Sequence, residues 1–144
     1  MGDIVCKFGG SSMADAAQIR KVIDIIRADP RRRFIVVSAP GRRSESDQKI
    51  TDLLYACHDR VSRGENPSEP LQRVRERYLQ LGGELGVGRM IAELWEEVEA
   101  RIRAGASKDY AASRGEYLCA RLLAEHLQVG FLDTEGLIQI EDNG

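Results

Sequence analysis

The string Lys7-Phe8-Gly9-Gly10-Ser11-Ser12 sets a full positive charge just ahead of a glycine pair, with two hydroxyls behind it. Glycines let a backbone come close to a bulky anion, and the free amides and dipole of a helix N-terminus attract negative charge. A lysine at the same point completes a phosphate cradle. The spacing is not that of the P-loop, which needs four residues between its glycines and Lys-Ser/Thr after them, and it is not GxGxxG. The plainer reading is a strand-to-helix turn in which glycine adopts positive φ and Lys7 merely reaches solvent. The strand-borne lysine in front and the capped helix behind favour the anion reading.

Two further groups carry possible chemistry. Ser38-Ala39-Pro40-Gly41 closes an apolar run, and in open parallel sheets ligands sit outside the carboxyl ends of the strands, so this turn should border the same crevice as Gly9 and Gly10. Ser38 is a candidate ligand donor there, or a loop hydroxyl satisfying its own backbone. Ser113-Arg114-Gly115-Glu116 opens a strongly apolar helix. Its glutamate either points inward toward an ammonium group or a metal, or faces solvent in a first turn that favours negative charge. His58 and His126 have no spaced Cys or Asp partner and read as solvent-facing or locally bonded. Arg31-Arg32-Arg33 reads as a solvated loop rather than a nucleic-acid patch.

Specific elements must position these groups. Ile4 to Phe8 is a short, mostly apolar run suited to a buried strand ending at Gly9-Gly10. Ser12 with Asp15 three residues on fits a capping box, and Ile19, Val22, Ile23 and Ile26 then mark an amphipathic helix over 13–28, up to Asp29-Pro30. Phe34 to Ser38 is β-branched and unalternating, as expected of an interior strand of a parallel sheet covered on both faces. Together these make a βαβ unit. Pro40 to Gln48 has the composition of an exposed, mobile loop.

Beyond the loop, Ile50, Leu53, Leu54, Cys57 and Val61 mark a helix, and Gly64 to Pro70 breaks it. Leu71, Val74, Tyr78 and Leu81 mark another, interrupted at Gly82-Gly83 and Gly86, and Ile91, Leu94, Trp95, Val98 and Ile102 the next, an αα-hairpin. A last helix from Asp109 to Leu127 has apolar residues around much of its circumference and should be deeply packed. Gly130-Phe131-Leu132 should return to the sheet, and Ile138 to Ile140 should start a hairpin at Asp142-Asn143-Gly144.

Composition bounds the answer. The chain has 144 residues, 42% hydrophobic and 31% charged, the balance of a folded domain of single-domain size. Its net charge of −2 calls for neither nucleic acid nor an anionic membrane. No apolar run is long enough to span a bilayer, and no signal-like segment opens the chain, so a cytoplasmic location is expected. The three cysteines, Cys6, Cys57 and Cys119, are odd in number and far apart, which argues against a disulfide framework and a zinc site and for small buried hydrophobes.

Taken in order, the KFGGSS string, Ser38-Ala39-Pro40-Gly41, Ile50-Thr51-Asp52-Leu53-Leu54 and Ser113-Arg114-Gly115-Glu116-Tyr117-Leu118 resemble the aspartate kinases of the amino-acid kinase family. The resemblance covers essentially the whole chain. It implies an α/β fold, a three-layer αβα arrangement on a mainly parallel sheet, here incomplete. It implies transfer of the ATP γ-phosphoryl, with Mg2+, to the side-chain carboxylate of L-aspartate, giving 4-phospho-aspartate on the way to lysine, methionine and threonine. Lys7, Gly9, Gly10 and Ser11 would then hold the phosphates, with Lys7 catalytic. Ser38, Thr51 and Glu116 would line the aspartate pocket, Glu116 toward the ammonium group and Thr51 and Ser38 toward the carboxylates; no resident protein-bound metal is implied. Such kinases continue with an Arg-Gly-Gly-Ser-Asp type loop and ACT domains. Those motifs do not occur here, so the chain is expected to be the N-terminal part of a kinase domain, inactive alone and associating with a C-terminal kinase half or as a homo-oligomer. A non-catalytic regulatory module, or a kinase acting on glutamate or a nucleoside monophosphate, are the alternatives.

Overall fold

A computed structural model describes residues 2–135, 137 and 138. Strand β1 (Ile4–Phe8) and strand β2 (Arg32–Val37) pair in parallel, with Val5 opposite Phe34, Lys7 opposite Val36 and Phe8 opposite Val37. Helix α1 (Ala16–Arg27) is the crossover between them. The four helices α2 (Ile50–Ser62), α3 (Ser68–Glu84), α4 (Gly88–Arg103) and α5 (Lys108–Leu127) follow, and α5 packs back on α2 and on β2. The α/β class, the parallel pairing and the α3–α4 hairpin are as expected. Among the described residues no helix is long and apolar enough to cross a membrane.

Several expectations are corrected. The capping box at Ser12 does not form: Gly10–Met13 is a 3-10 turn, and Asp15 is itself the N-cap, accepting from the Gln18 amide at 2.8 Å. A short carboxylate directly before the helix reaches its third amide, so α1 starts later than the pattern suggested. The β2 run was read as covered on both faces, yet among the described residues the sheet has two strands and one face stays open. Val5, Phe34 and Val36 are 66%, 52% and 51% exposed, while Val37 is buried. Pleat alternation puts Val5, Lys7, Phe34 and Val36 on that open face.

Gly82-Gly83 does not interrupt α3. A Cβ at Gly82 would lie 3.1 Å from Gly88 Cα and 3.2 Å from Ile91 Cβ, so this glycine is where α4 crosses close, and the turn itself is made at Gly86 with φ 76°. Gly130-Phe131-Leu132 forms no strand; Gln128 closes α5 in the left-handed conformation, and the Phe131 ring meets Tyr117 edge-on at 5.5 Å. Ile138 is exposed, and the expected hairpin beyond it lies outside the described residues.

The core joins α1 to the helical part through Met13, Ile19, Val22, Leu54, Tyr78, Trp95, Leu118 and Leu122. Cys57 and Cys119 are buried within it as expected, and burial pushes both thiols up to about 12. Cys6 is half-buried.

Candidate functional site

The two turns at the carboxyl ends of β1 and β2 meet. The Gly41 amide donates to the Gly10 carbonyl at 2.8 Å, and the Ser38 amide donates to the Phe8 carbonyl at 3.0 Å. The approach is too close for side chains. A Cβ on Gly41 would sit 2.6 Å from the carbonyl carbon and oxygen of Gly10, and one on Gly10 would sit 3.3 Å from the Ala39 carbonyl oxygen. Gly9 differs: nothing lies within 4 Å of where its Cβ would be. Gly9 is extended at φ −78°, and neither glycine of the pair has positive φ. Positive φ is therefore not what these glycines supply; it is the absence of a side chain. Behind the open Gly9 position the 3-10 turn presents its first amides, which have no partner within the turn, and Lys7 is exposed two residues before.

Helix α5 closes the other side. Gly115 is buried against the second turn: its Cβ would fall 2.8 Å from Ala39 Cβ and 3.3 Å from Ile50 Cγ2. Thr51 follows Ile50 as the second residue of α2 and is half-buried, and Glu116 follows Gly115 and is exposed. The Gly9–Gly10 turn, the Ser38–Gly41 turn, the start of α2 and the middle of α5 thus converge. Of the alternatives for Glu116, burial is excluded, but it is not turned to bulk solvent alone. It lines a cleft of about 820 Å³ between β2 and α5, with Asp109, Arg114, Asp133 and Glu135 also on its walls. That excess of carboxylates favours a cation such as an ammonium group and disfavours a phosphate, so an anion is better served at Lys7.

Three residues to which sequence reasoning assigned no role of their own at the site hold this arrangement. Arg114 is buried, its guanidinium 4.4 Å from the ring centres of both Tyr110 and Tyr117, and it donates to Ser113 Oγ at 2.9 and 3.1 Å. Tyr78 is fully buried and donates to the Gly115 carbonyl at 2.6 Å, and burial pushes its hydroxyl pKa well up. Arg77 is buried on α3. It donates to the carbonyls of Ala14 and Gly41, each at 3.0 Å, and to Asp47 at 2.5 Å. The signal for Arg77 lay in its spacing, three residues after Val74 on the stripe that carries Tyr78.

The loop between Ser38 and α2 was expected to be mobile, and Asp47 anchors it. Its carboxylate accepts from the Arg43 side chain at 2.9 and 3.2 Å, from the Arg43 amide at 3.1 Å and from Arg77. The Arg43 side chain first, then its amide and the Arg77 charge, hold the Asp47 carboxyl down at about 2 against the effect of burial. The two histidines are locally bonded, His58 to Asp59 and His126 to the Leu85 carbonyl at 2.9 Å. Among the described residues no three His, Cys, Asp or Glu side chains converge as a metal set.

The sequence profile of the amino acid kinase family matches residues 4–141. The chain belongs to that family. Over 89 residues this family member is 45% identical to aspartokinase 3 of Bacillus subtilis, a match covering 62% of the chain and 20% of the relative. Its structure is similar to the Clostridium acetobutylicum aspartate kinase, with TM-score 0.90 and 45% identity over 93% of the chain and 31% of that one. It is also similar to E. coli aspartokinase III solved in complex with aspartate and ADP, with TM-score 0.67 and 27% identity over 88% of the chain and 29% of that one. The chain therefore spans about a fifth to a third of the length of these proteins.

Proposed function

We propose that the chain is the first part of an aspartate kinase domain, carrying the phosphate cradle and much of the amino-acid site. The observation that carries this reading is the meeting of the Gly9–Gly10 turn with the Ser38–Gly41 turn and with Gly115 of α5. Lys7, with Gly9, Gly10 and Ser11, holds the phosphates of ATP. Ser38 and Thr51 hold the carboxylates of L-aspartate, and Glu116 its ammonium group. A side-chain carboxylate oxygen attacks the γ-phosphorus, the bond from that phosphorus to the bridging oxygen breaks, and the electron pair leaves on ADP, giving 4-phospho-aspartate. Positioning and charge stabilisation supply most of such a reaction. A lysine and open backbone amides suit the phosphates, and the carboxylates of the cleft at Glu116 suit the ammonium group. Magnesium would arrive with ATP and offset the phosphate charge, and among the described residues no three His, Cys, Asp or Glu side chains converge to hold it.

The reading extends to the setting. The product enters lysine, methionine and threonine synthesis, the location is the cytoplasm, and the open face at Val5, Phe34 and Val36 receives the C-terminal kinase half or a second copy.

The test is a hybrid in which the chain replaces the corresponding segment of the Clostridium enzyme. With ATP, aspartate and hydroxylamine, the hybrid is expected to form aspartyl hydroxamate, and Lys7→Ala to abolish it. A folded hybrid that makes none, or that prefers glutamate or a nucleoside monophosphate, would overturn the assignment. The isolated chain is expected to be inactive; turnover lost on Lys7→Ala would overturn the view that it is a part.

A further inference from the structure

Among the described residues two charged side chains are buried, Arg114 and Arg77. Arg114 is accounted for within α5 by its tyrosines and Ser113. Arg77 bonds instead to three segments distant from its own helix: Ala14 after the 3-10 turn, Gly41 in the second turn, and Asp47 in the loop. Gly41 is in turn bonded to Gly10. One planar guanidinium therefore fastens both turns of the site and the loop between Ser38 and Thr51. Its rigid fork satisfies three acceptors at fixed angles, which a lysine ammonium does not reproduce.

We propose that Arg77, acting through Asp47 and the Gly41 carbonyl, is a positioning residue for aspartate binding: it keeps the Ser38–Gly41 turn seated on Gly10 and Gly115 and so fixes the spacing of Ser38, Thr51 and Glu116. This rests on the reading of those three residues as the aspartate site. Arg77 does not itself touch the substrate. When the fastening is lost, the seated turn is one of several conformers, and apparent affinity drops by the fraction that remains competent.

Titration of the isotope-labelled chain with L-aspartate, followed by amide NMR shifts, tests this. The wild type is expected to bind, with Gly10, Gly41 and Gly115 amides shifting, and Glu116→Gln to abolish binding. Arg77→Met and Asp47→Ala are each expected to weaken aspartate at least tenfold, and the double variant to lose less than the product of the two effects, because the Arg77–Asp47 bond is lost in either. Asp47→Ala changes a loop flanked by exposed residues, so it decides the matter even if Arg77→Met fails to fold. Affinity within twofold of wild type in Asp47→Ala, or losses that simply add in the double variant, would overturn the proposal and leave the site reading standing. A wild-type chain that shows no aspartate shift would overturn both.

Discussion

Gly9 and Gly10 are neighbours of the same type with opposite surroundings, open space at one and packed backbone at the other. Gly9→Ala should leave the melting temperature within a few degrees of wild type while weakening binding of inorganic tripolyphosphate, since the new methyl stands where the anion approaches. Gly10→Ala should instead cost about 1–3 kcal/mol of stability, as overpacking against backbone does. Thermal melts paired with calorimetric titration separate the two. Asp47 gives a pH signature. Its carboxyl sits at about 2 in the folded chain, against about 3.9 unfolded. The stability it supplies is therefore complete above about pH 5 and is lost as the pH falls through 4 toward 2. Asp29, held low by Arg31, adds in the same direction. Urea midpoints at pH 7, 4, 3 and 2 should fall, and fall less in Asp47→Ala. Lys7, Gly9, Gly10, Ser38 and Glu116 were readable from the sequence as candidates because each stands beside a turn or helix start that announces itself. Arg77 was not, because charge normally marks a surface, and nothing local says that three distant acceptors will meet it.

At the scale of elements, periodicity found the five α-helices and two strands of the described residues, and erred where a long-range contact decides. Gly82-Gly83 looks like a break until α4 crosses on it, and the β2 run looks doubly covered because a continuous apolar strand does not say which face has a neighbour. The junction of α5 with the Ser38–Gly41 turn is the most sensitive of these contacts. Gly115→Ala would press a methyl on Ala39 and Ile50, with an expected cost of about 1–3 kcal/mol. Tyr78→Phe would remove the second donor from the buried Gly115 carbonyl, which keeps its partner within α5, at a cost of about 0.5–1.5 kcal/mol. Denaturant unfolding should show both losses, and aspartate shifts should weaken in Gly115→Ala because Glu116 moves with its helix.

For the whole molecule, the open sheet face is the dominant liability. Exposed Val5, Phe34 and Val36 on one face of a sheet that has two strands among the described residues invite association. The chain should bind a hydrophobic dye and self-associate with rising concentration on gel filtration, and Phe34→Ser with Val36→Thr should suppress both while the circular dichroism spectrum is kept. The match to about a third of the Clostridium enzyme leaves ample chain in such relatives to cover that face.

The way the helices follow one another has a kinetic consequence. Helices α2, α3 and α4 pack on their neighbours in the chain, whereas α5 reaches back across two helices to α2. Local contacts form early and distant ones late. The α2–α3–α4 helices and the β1–α1–β2 crossover should each collapse separately, and the docking of α5, with Gly115 on Ala39 and Ile50, should come last. The groups that would recognise the amino acid are thus assembled only at the final step of folding, so a chain halted before it would have its secondary structure and no pocket.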